Sequence, residues 1–186
     1  MAINQYNISL IPRQSIINKY GELPSQLFIN HEAWKRHLET KEFDSEYDFE
    51  DAQTINWWKN REAIFKDIES YINSFTKPIE WSKNYTDYKS YGDDKSNDFY
   101  IGLTDELHID EFSCRIDVSK LDQSFINHIL IITKRLDCLL MDKKGNLFEP
   151  TFDKLVENIR LSNSFKFVSN PLDFFDKLAS GDIKPE

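Results

Sequence analysis

The chain has 186 residues, of which 40% are hydrophobic and 30% charged. That is enough apolar material for one packed domain and too much for general disorder. Thirty-two acidic residues against 23 basic ones leave a net charge of −9. Such a surface repels a phosphate backbone, and adjacent basic residues come only in pairs such as Lys143-Lys144. This excludes the basic stripe that nucleic-acid binding requires.

The chain opens with alternation: Tyr6, Ile8 and Leu10 are separated by polar residues, which predicts a strand over Tyr6–Ile11. A short helix follows from Arg13 to Tyr20, with Gly21 as its C-terminal cap and Pro24 forbidding continuation. HEAWKRHLET has helical composition, and Ala52 to Trp58 is read as the start of further helix. Ile64, Ile68, Tyr71, Ile72 and Phe75 fall on one face of a helix that Pro78 limits. The middle of the chain is β in character. Tyr85 to Tyr91 alternates weakly, Gly92-Asp93-Asp94 turns, and NDFYIGL puts Phe99, Ile101 and Leu103 on one face. In HIDEFSCRID, Phe112, Cys114 and Ile116 share a face opposite Glu111, Ser113, Arg115 and Asp117.

A long helix runs from Asp122, its N-cap, to Arg135. CLLMD then forms a buried strand, so residues 109–142 make a βαβ-like unit. DKKGN turns, LFEP returns as a strand, and a helix follows Pro150. SFKFV is expected as an edge strand, and Asn170-Pro171 starts the last helix, anchored by Phe174, Phe175 and Leu178. The fold class is α+β: one domain over 1–186, with a mixed or mainly antiparallel sheet and helices packed on it. A helical N-terminal region, about 31–75, is expected to pack on a sheet-containing region, about 85–178.

Motifs for chemistry are sparse. The five glycines stand at 21, 92, 102, 145 and 181, too far apart for a phosphate-cradling loop. His31-Glu32 begins like a zinc-protease motif, but Lys35 stands where the second histidine belongs. His128 reads as a partly buried, hydrogen-bonded histidine rather than a ligand. Cys114 and Cys138 are too few for a disulfide framework and fit no zinc spacing. Both read as small buried hydrophobes. No metal and no cofactor are expected. The N-terminus lacks a signal-peptide pattern, and no apolar run approaches the roughly 20 residues that span a bilayer. We expect a cytoplasmic protein with no membrane contact.

Two clusters remain as site candidates. In FDSEYDFEDAQTINWW, Asp44, Glu46, Asp48, Glu50 and Asp51 place five carboxylates within eight residues, with Phe43, Tyr47 and Phe49 between them. Burying them without partners is expensive, so they face water or a basic partner. The run is either a solvated connector pinned by its aromatics or an interface, with Asp44, Glu46, Tyr47, Asp48, Glu50 and Trp58 as contact residues. In a helix, Trp57 and Trp58 would diverge by about 100° and be unequally buried. The second cluster is a cleft near His108, Arg115 and Asp117, where a small acid–base or anion site competes with a structural charge pair.

SCRIDVS before a helix, then LDCLLMDKKGNLFEP, then a helix and SNSFKFVSNPLDFF, resembles small bacterial proteins similar in character to immunity proteins that neutralise polymorphic or contact-delivered toxins. The likeness covers about residues 98–178 and carries no catalytic residues. It implies a non-enzymatic immunity protein or antitoxin, whose partner would be a basic toxin domain occluded at its active site. The competing readings are a small enzyme or ligand-binding protein using the Arg115/Asp117 cleft, and a structural subunit of an assembly.

Overall fold

The computed structural model describes residues 4–40, 47–59 and 61–183. In it the alternating segments become one sheet, and the apolar-faced segments become its helical cover. In chain order the elements are β1 (Gln5–Pro12), α1 (Arg13–Tyr20), α2 (His31–Glu39), α3 (Lys66–Phe75), β2 (Tyr88–Gly92), β3 (Asp98–Leu103) and β4 (Ile109–Asp117). Then come α4 (Gln123–Arg135), β5 (Cys138–Asp142), β6 (Leu147–Phe148), α5 (Phe152–Leu161), α6 (Asn163–Ser169) and α7 (Pro171–Ser180). The fold is α+β, and every neighbouring strand pair in the sheet is antiparallel.

The strand order is β2-β3-β4-β1-β5-β6. β1, from the start of the chain, lies between β4 and β5 and is antiparallel to both. β4 and β5 are therefore parallel to each other, joined by α4, with β1 inserted between them. The βαβ-like unit is real, and it is split. Both sheet edges are covered, which removes the open ladder that invites aggregation. Ile79 donates to Ser90 (2.8 Å) and Gly92 to Lys77 (3.3 Å) beside β2. Leu27 donates to Gly145 (2.8 Å) and Leu147 to Ser25 (2.9 Å) beside β6. Gly145 has φ +81°, and a Cβ there would collide with the Leu27 carbonyl, so this turn requires glycine.

The strands' period of two sorts their side chains onto two faces. Tyr6, Ile8 and Leu10 of β1, Phe112, Cys114 and Ile116 of β4, and Phe99 and Ile101 of β3 are all buried. Phe99 meets Phe75 of α3 and Phe125 of α4 at 6.2 Å each, which places those helices over this face. α4 forms where expected because the Asp122 carboxylate accepts from Phe125 N (3.0 Å). Phe125, Ile126, Ile129, Leu130 and Ile132 of α4 are buried, each worth roughly 2 kcal/mol of transfer free energy. His128 closes the α3–α4 seam: Tyr71 Oη lies 2.9 Å from its Nδ1, and Phe75 stacks on its ring at 4.1 Å.

Several sequence expectations are corrected. SFKFV is helical, not an edge strand. Ser162 accepts from Phe165 N (3.1 Å) as an N-cap, and Phe165 and Val168, three apart, pack on the core. Ile64 precedes α3 and is exposed, while its neighbour Phe65 is buried. Phe174 anchors α7, but Phe175 is half exposed. Ala52–Trp58 is a series of turns, not a helix.

Candidate functional site

The second face of the sheet is built from small and polar residues. Ser9 pairs with Ser113, Ser113 with Tyr100, and Tyr100 with Ser90, forming one row across β1, β4, β3 and β2. Two residues along, Asn7 pairs with Arg115 and Arg115 with Asp98. On the other side Glu111 pairs with Gly102. With serines and a glycine where bulky side chains would stand, the face sinks. Two adjoining cavities result, of about 550 Å³ and about 560 Å³, and Asn7, Tyr100, Glu111 and Ser113 line both. They form one trough, with Tyr47 and the Gln53–Trp58 turns on one wall and Trp81 and Tyr88 on the other.

Each wall is an aromatic group. Trp34, His37, Tyr47 and Phe49 pack edge to face, with Trp34–Tyr47 at 5.1 Å and Trp34–Phe49 at 5.3 Å. Trp81 lies 5.8 Å from Tyr88, which stacks on Tyr85 at 4.6 Å. Edge-to-face and offset packing are the favoured aromatic geometries, so both walls are stable without covering their outer faces. Tyr47, Trp81 and Tyr85 each remain about half exposed.

The floor's charges have distinct states. Arg115 grips Asp98 through two bonds, Nε to Oδ1 at 2.7 Å and Nη2 to Oδ2. That hydrogen bonding holds the Arg115 guanidinium above its ordinary pKa. Tyr100 donates to Glu111 Oε1. Enclosure of the Tyr100 hydroxyl, reinforced by the Glu111 charge, pushes its pKa up. Glu111 is exposed, and among the described residues no cation pairs with it.

The acidic-aromatic run divides in an unexpected way. Asp44 and Glu46 lie outside the described residues. Tyr47 lines the trough, Asp48 is exposed, and Glu50 pairs with Lys19 at 2.6 Å. Asp51 is buried and faces neither water nor a partner. Its carboxylate accepts from Asn30 N (3.0 Å), Trp34 Nε1 (2.7 Å), Gln53 N (2.8 Å) and Thr54 N (3.2 Å). Those donors make burial of the charge tolerable. Trp58, expected as an exposed contact residue, is instead enclosed in the core behind the trough wall. It is 3% exposed and donates through Nε1 to Leu10 O (3.1 Å). Trp57 is equally enclosed, at 5%, with its own bond to Ala52 O (2.8 Å). A turn, unlike a helix, lets neighbouring indoles both be buried.

His108, Arg115 and Asp117 do not assemble into one cleft. His108 precedes β4 and lies 3.8 Å from Glu106. Seven residues of extended chain, about 23 Å, separate it from Arg115. Asp117 accepts from Asn4 (2.9 Å) and from the Ser119 amide (2.9 Å) and hydroxyl (2.5 Å). Burial alone would raise its pKa, but these hydrogen bonds outweigh it and the net shift is downward. Only Arg115 of the three lines the trough. Burial pushes both thiols up, Cys114 and Cys138 alike. Neither therefore presents a thiolate nucleophile near neutral pH.

Sequence reasoning put Glu111 and Ser113 on the polar face of β4 but did not single out Tyr100, Glu111 or Trp81. The available signal was the serine on each of three strands, which becomes a row only once the register is known.

The fold and this face define the class: an α+β domain with one sheet face packed under helices and the other open as an aromatic-walled trough. Comparison of the chain with protein-family models, curated proteins and solved structures finds no match. Among the described residues, no helix is long and apolar enough to cross a membrane.

Proposed function

We propose that the protein is a non-enzymatic binding protein of the immunity or antitoxin kind, which engages a basic protein partner and occludes its active site. The observation that carries this reading is the open trough, whose aromatic walls stand beside Glu111, a carboxylate with no cation partner among the described residues. Exposed aromatics supply contact area at low conformational cost, and carboxylates steer a basic partner and fix its register. Tyr47 from the acidic-aromatic run lines the same trough as Asp110 and Glu111. The net charge of −9 favours encounter with a cationic surface.

The test is co-purification with the protein encoded beside its gene, with growth of cells expressing that neighbour as the second readout. Binding that weakens steeply with salt, together with rescued growth, supports the reading. A neighbour that is neither toxic nor bound overturns it.

A further inference from the structure

The trough has a centre, and that centre has a chemistry. Across β5, β1, β4, β3 and β2 it spans four strand spacings, about 19 Å, so it accommodates a chain segment and not just one side chain. The floor carries two kinds of carboxylate. Asp98 has both oxygens committed to Arg115, and that pair is electrically closed. Among the described residues Glu111 has only the Tyr100 hydroxyl, on Oε1, and no counter-charge, and it lines both cavities. Gly102 stands opposite it without a side chain, and a Cβ there would sit 3.3 Å from Glu111 Cβ. The space over Glu111 is therefore open on the β3 side. Trp81, Tyr88 and Tyr100 surround that space.

We propose that this position receives an arginine from an extended basic segment of the partner, its guanidinium on Glu111 and its flat face against the Trp81 wall. This rests on the reading of the face as the partner-binding surface and names its central contact. A planar, delocalised cation suits both features. It donates in a fork to carboxylate lone pairs, and it stacks on aromatic faces, which a compact, strongly hydrated ammonium does less well. A neutral sugar would use the aromatic wall but would leave the Glu111 charge uncompensated.

The probe is acetyl-Gly-Arg-Gly-Arg-Gly-amide, with its lysine and citrulline counterparts and a neutral linear tetrasaccharide, titrated into full-length ¹⁵N-labelled protein. Perturbed resonances should include the Trp81 indole and the Tyr100, Gly102 and Glu111 amides. The arginine peptide should bind about five-fold tighter than the lysine peptide and at least ten-fold tighter than the citrulline peptide. Glu111→Gln should weaken it at least ten-fold and Trp81→Ala about three- to ten-fold. Glu106→Gln, an exposed carboxylate away from the trough, should leave it unchanged. An amide spectrum that is native apart from the substituted site keeps each variant interpretable.

Perturbations elsewhere on the surface, equal binding of the arginine and citrulline peptides, preference for the tetrasaccharide, or an unaffected Glu111→Gln variant each overturn the proposal. If Glu111→Gln still captures the neighbouring gene product at wild-type strength, the arginine contact is wrong and the binding reading stands. If no basic protein is captured at all, the reading itself fails.

Discussion

Removing the Asp51 carboxylate tests whether the acidic-aromatic run is structural at its core. In Asp51→Ala the three backbone donors Asn30 N, Gln53 N and Thr54 N and the Trp34 indole all lose their acceptor. Hydrogen bonds to a charged group are worth about 1.5–3 kcal/mol each, but they do not add, and some donors here lie near enough to the surface to find water. A loss of about 3–5 kcal/mol follows, in the range for breaking a buried, hydrogen-bonded charge. Urea unfolding followed by tryptophan fluorescence reads this directly. With a slope of about 2–3 kcal/mol per molar, the midpoint should fall by about 1–2 M at unchanged slope. Asp51→Asn keeps the shape but turns an NH₂ toward N–H donors, so it should lose somewhat less. Trp34→Phe deletes a single donor and should cost about 1 kcal/mol. The Asp51→Ala/Trp34→Phe double variant should be less destabilised than the sum of the two, because they share a bond. A loss below about 1 kcal/mol for Asp51→Ala, or strict additivity in the double variant, would refute the assignment of Asp51 as the organiser of this loop.

Trp58→Phe should cost about 1 kcal/mol through the bond to Leu10 O, and Trp58→Ala about 3–5 kcal/mol through the cavity, both read as thermal or urea midpoints; full stability in Trp58→Ala would contradict its core placement. Native protein should give no rapid reaction of Cys114 or Cys138 with a thiol reagent, whereas denatured protein should titrate two thiols. Arg115→Ala should destabilise more than Asp98→Ala, by roughly 2–4 against 1–2 kcal/mol. The side chain left unpaired is 9% exposed in the first case and 36% in the second, and the reverse order would show that the ion pair is not what stabilises this strand end. Asp117 has a lowered pKa in the folded state, so its contribution is present above the unfolded carboxylate value of about 4 and disappears as pH falls through the folded value. Asp117→Asn should therefore be less stable than the parent at pH 7 and converge on it as pH falls below the unfolded carboxylate value and through the lower folded one. A gap independent of pH would assign the loss to packing.

The parts of the fold legible in the sequence are those where a local rule and the global arrangement agree. α1, α4 and α7 announce their ends through Gly21, Asp122 and Asn170-Pro171, because caps act within one turn and need no tertiary partner. The alternation of β3 and β4 survives because each strand has one buried face. SFKFV misled because Phe165 and Phe167 alternate like a strand, while the Ser162 cap and the Phe165–Val168 spacing favour a helix. The Trp57-Trp58 pair misled for a related reason: the 100° argument holds only on a helix, and Asp51 with Thr54 instead folds the segment into turns. The trough was not legible at all. A serine every few residues means nothing until β1 is known to sit between β4 and β5, and that placement is decided by non-local pairing.

The same non-locality bears on how the net charge should be read. A charge of −9 says nothing about where a cation is welcome, because carboxylates close to one another in sequence meet different fates in the fold. Asp51 and Asp142 are buried among amide donors, Asp98 is held by Arg115, and Glu50 is held by Lys19. Each of these charges already has its hydrogen bonds or its counter-charge and has little to gain from a partner. Among the described residues Glu111 has only a neutral hydroxyl beside it, in a hollow walled by rings, where water screens it less than it screens a fully exposed carboxylate. A partner's cation placed there would gain more than one placed against Asp48 or Glu106 on the open surface. For that reason Glu111, and not the densest acidic stretch of the sequence, is where substitution should change the dissociation rate of the proposed basic partner, while changes at Asp48 should act mainly on the rate of encounter.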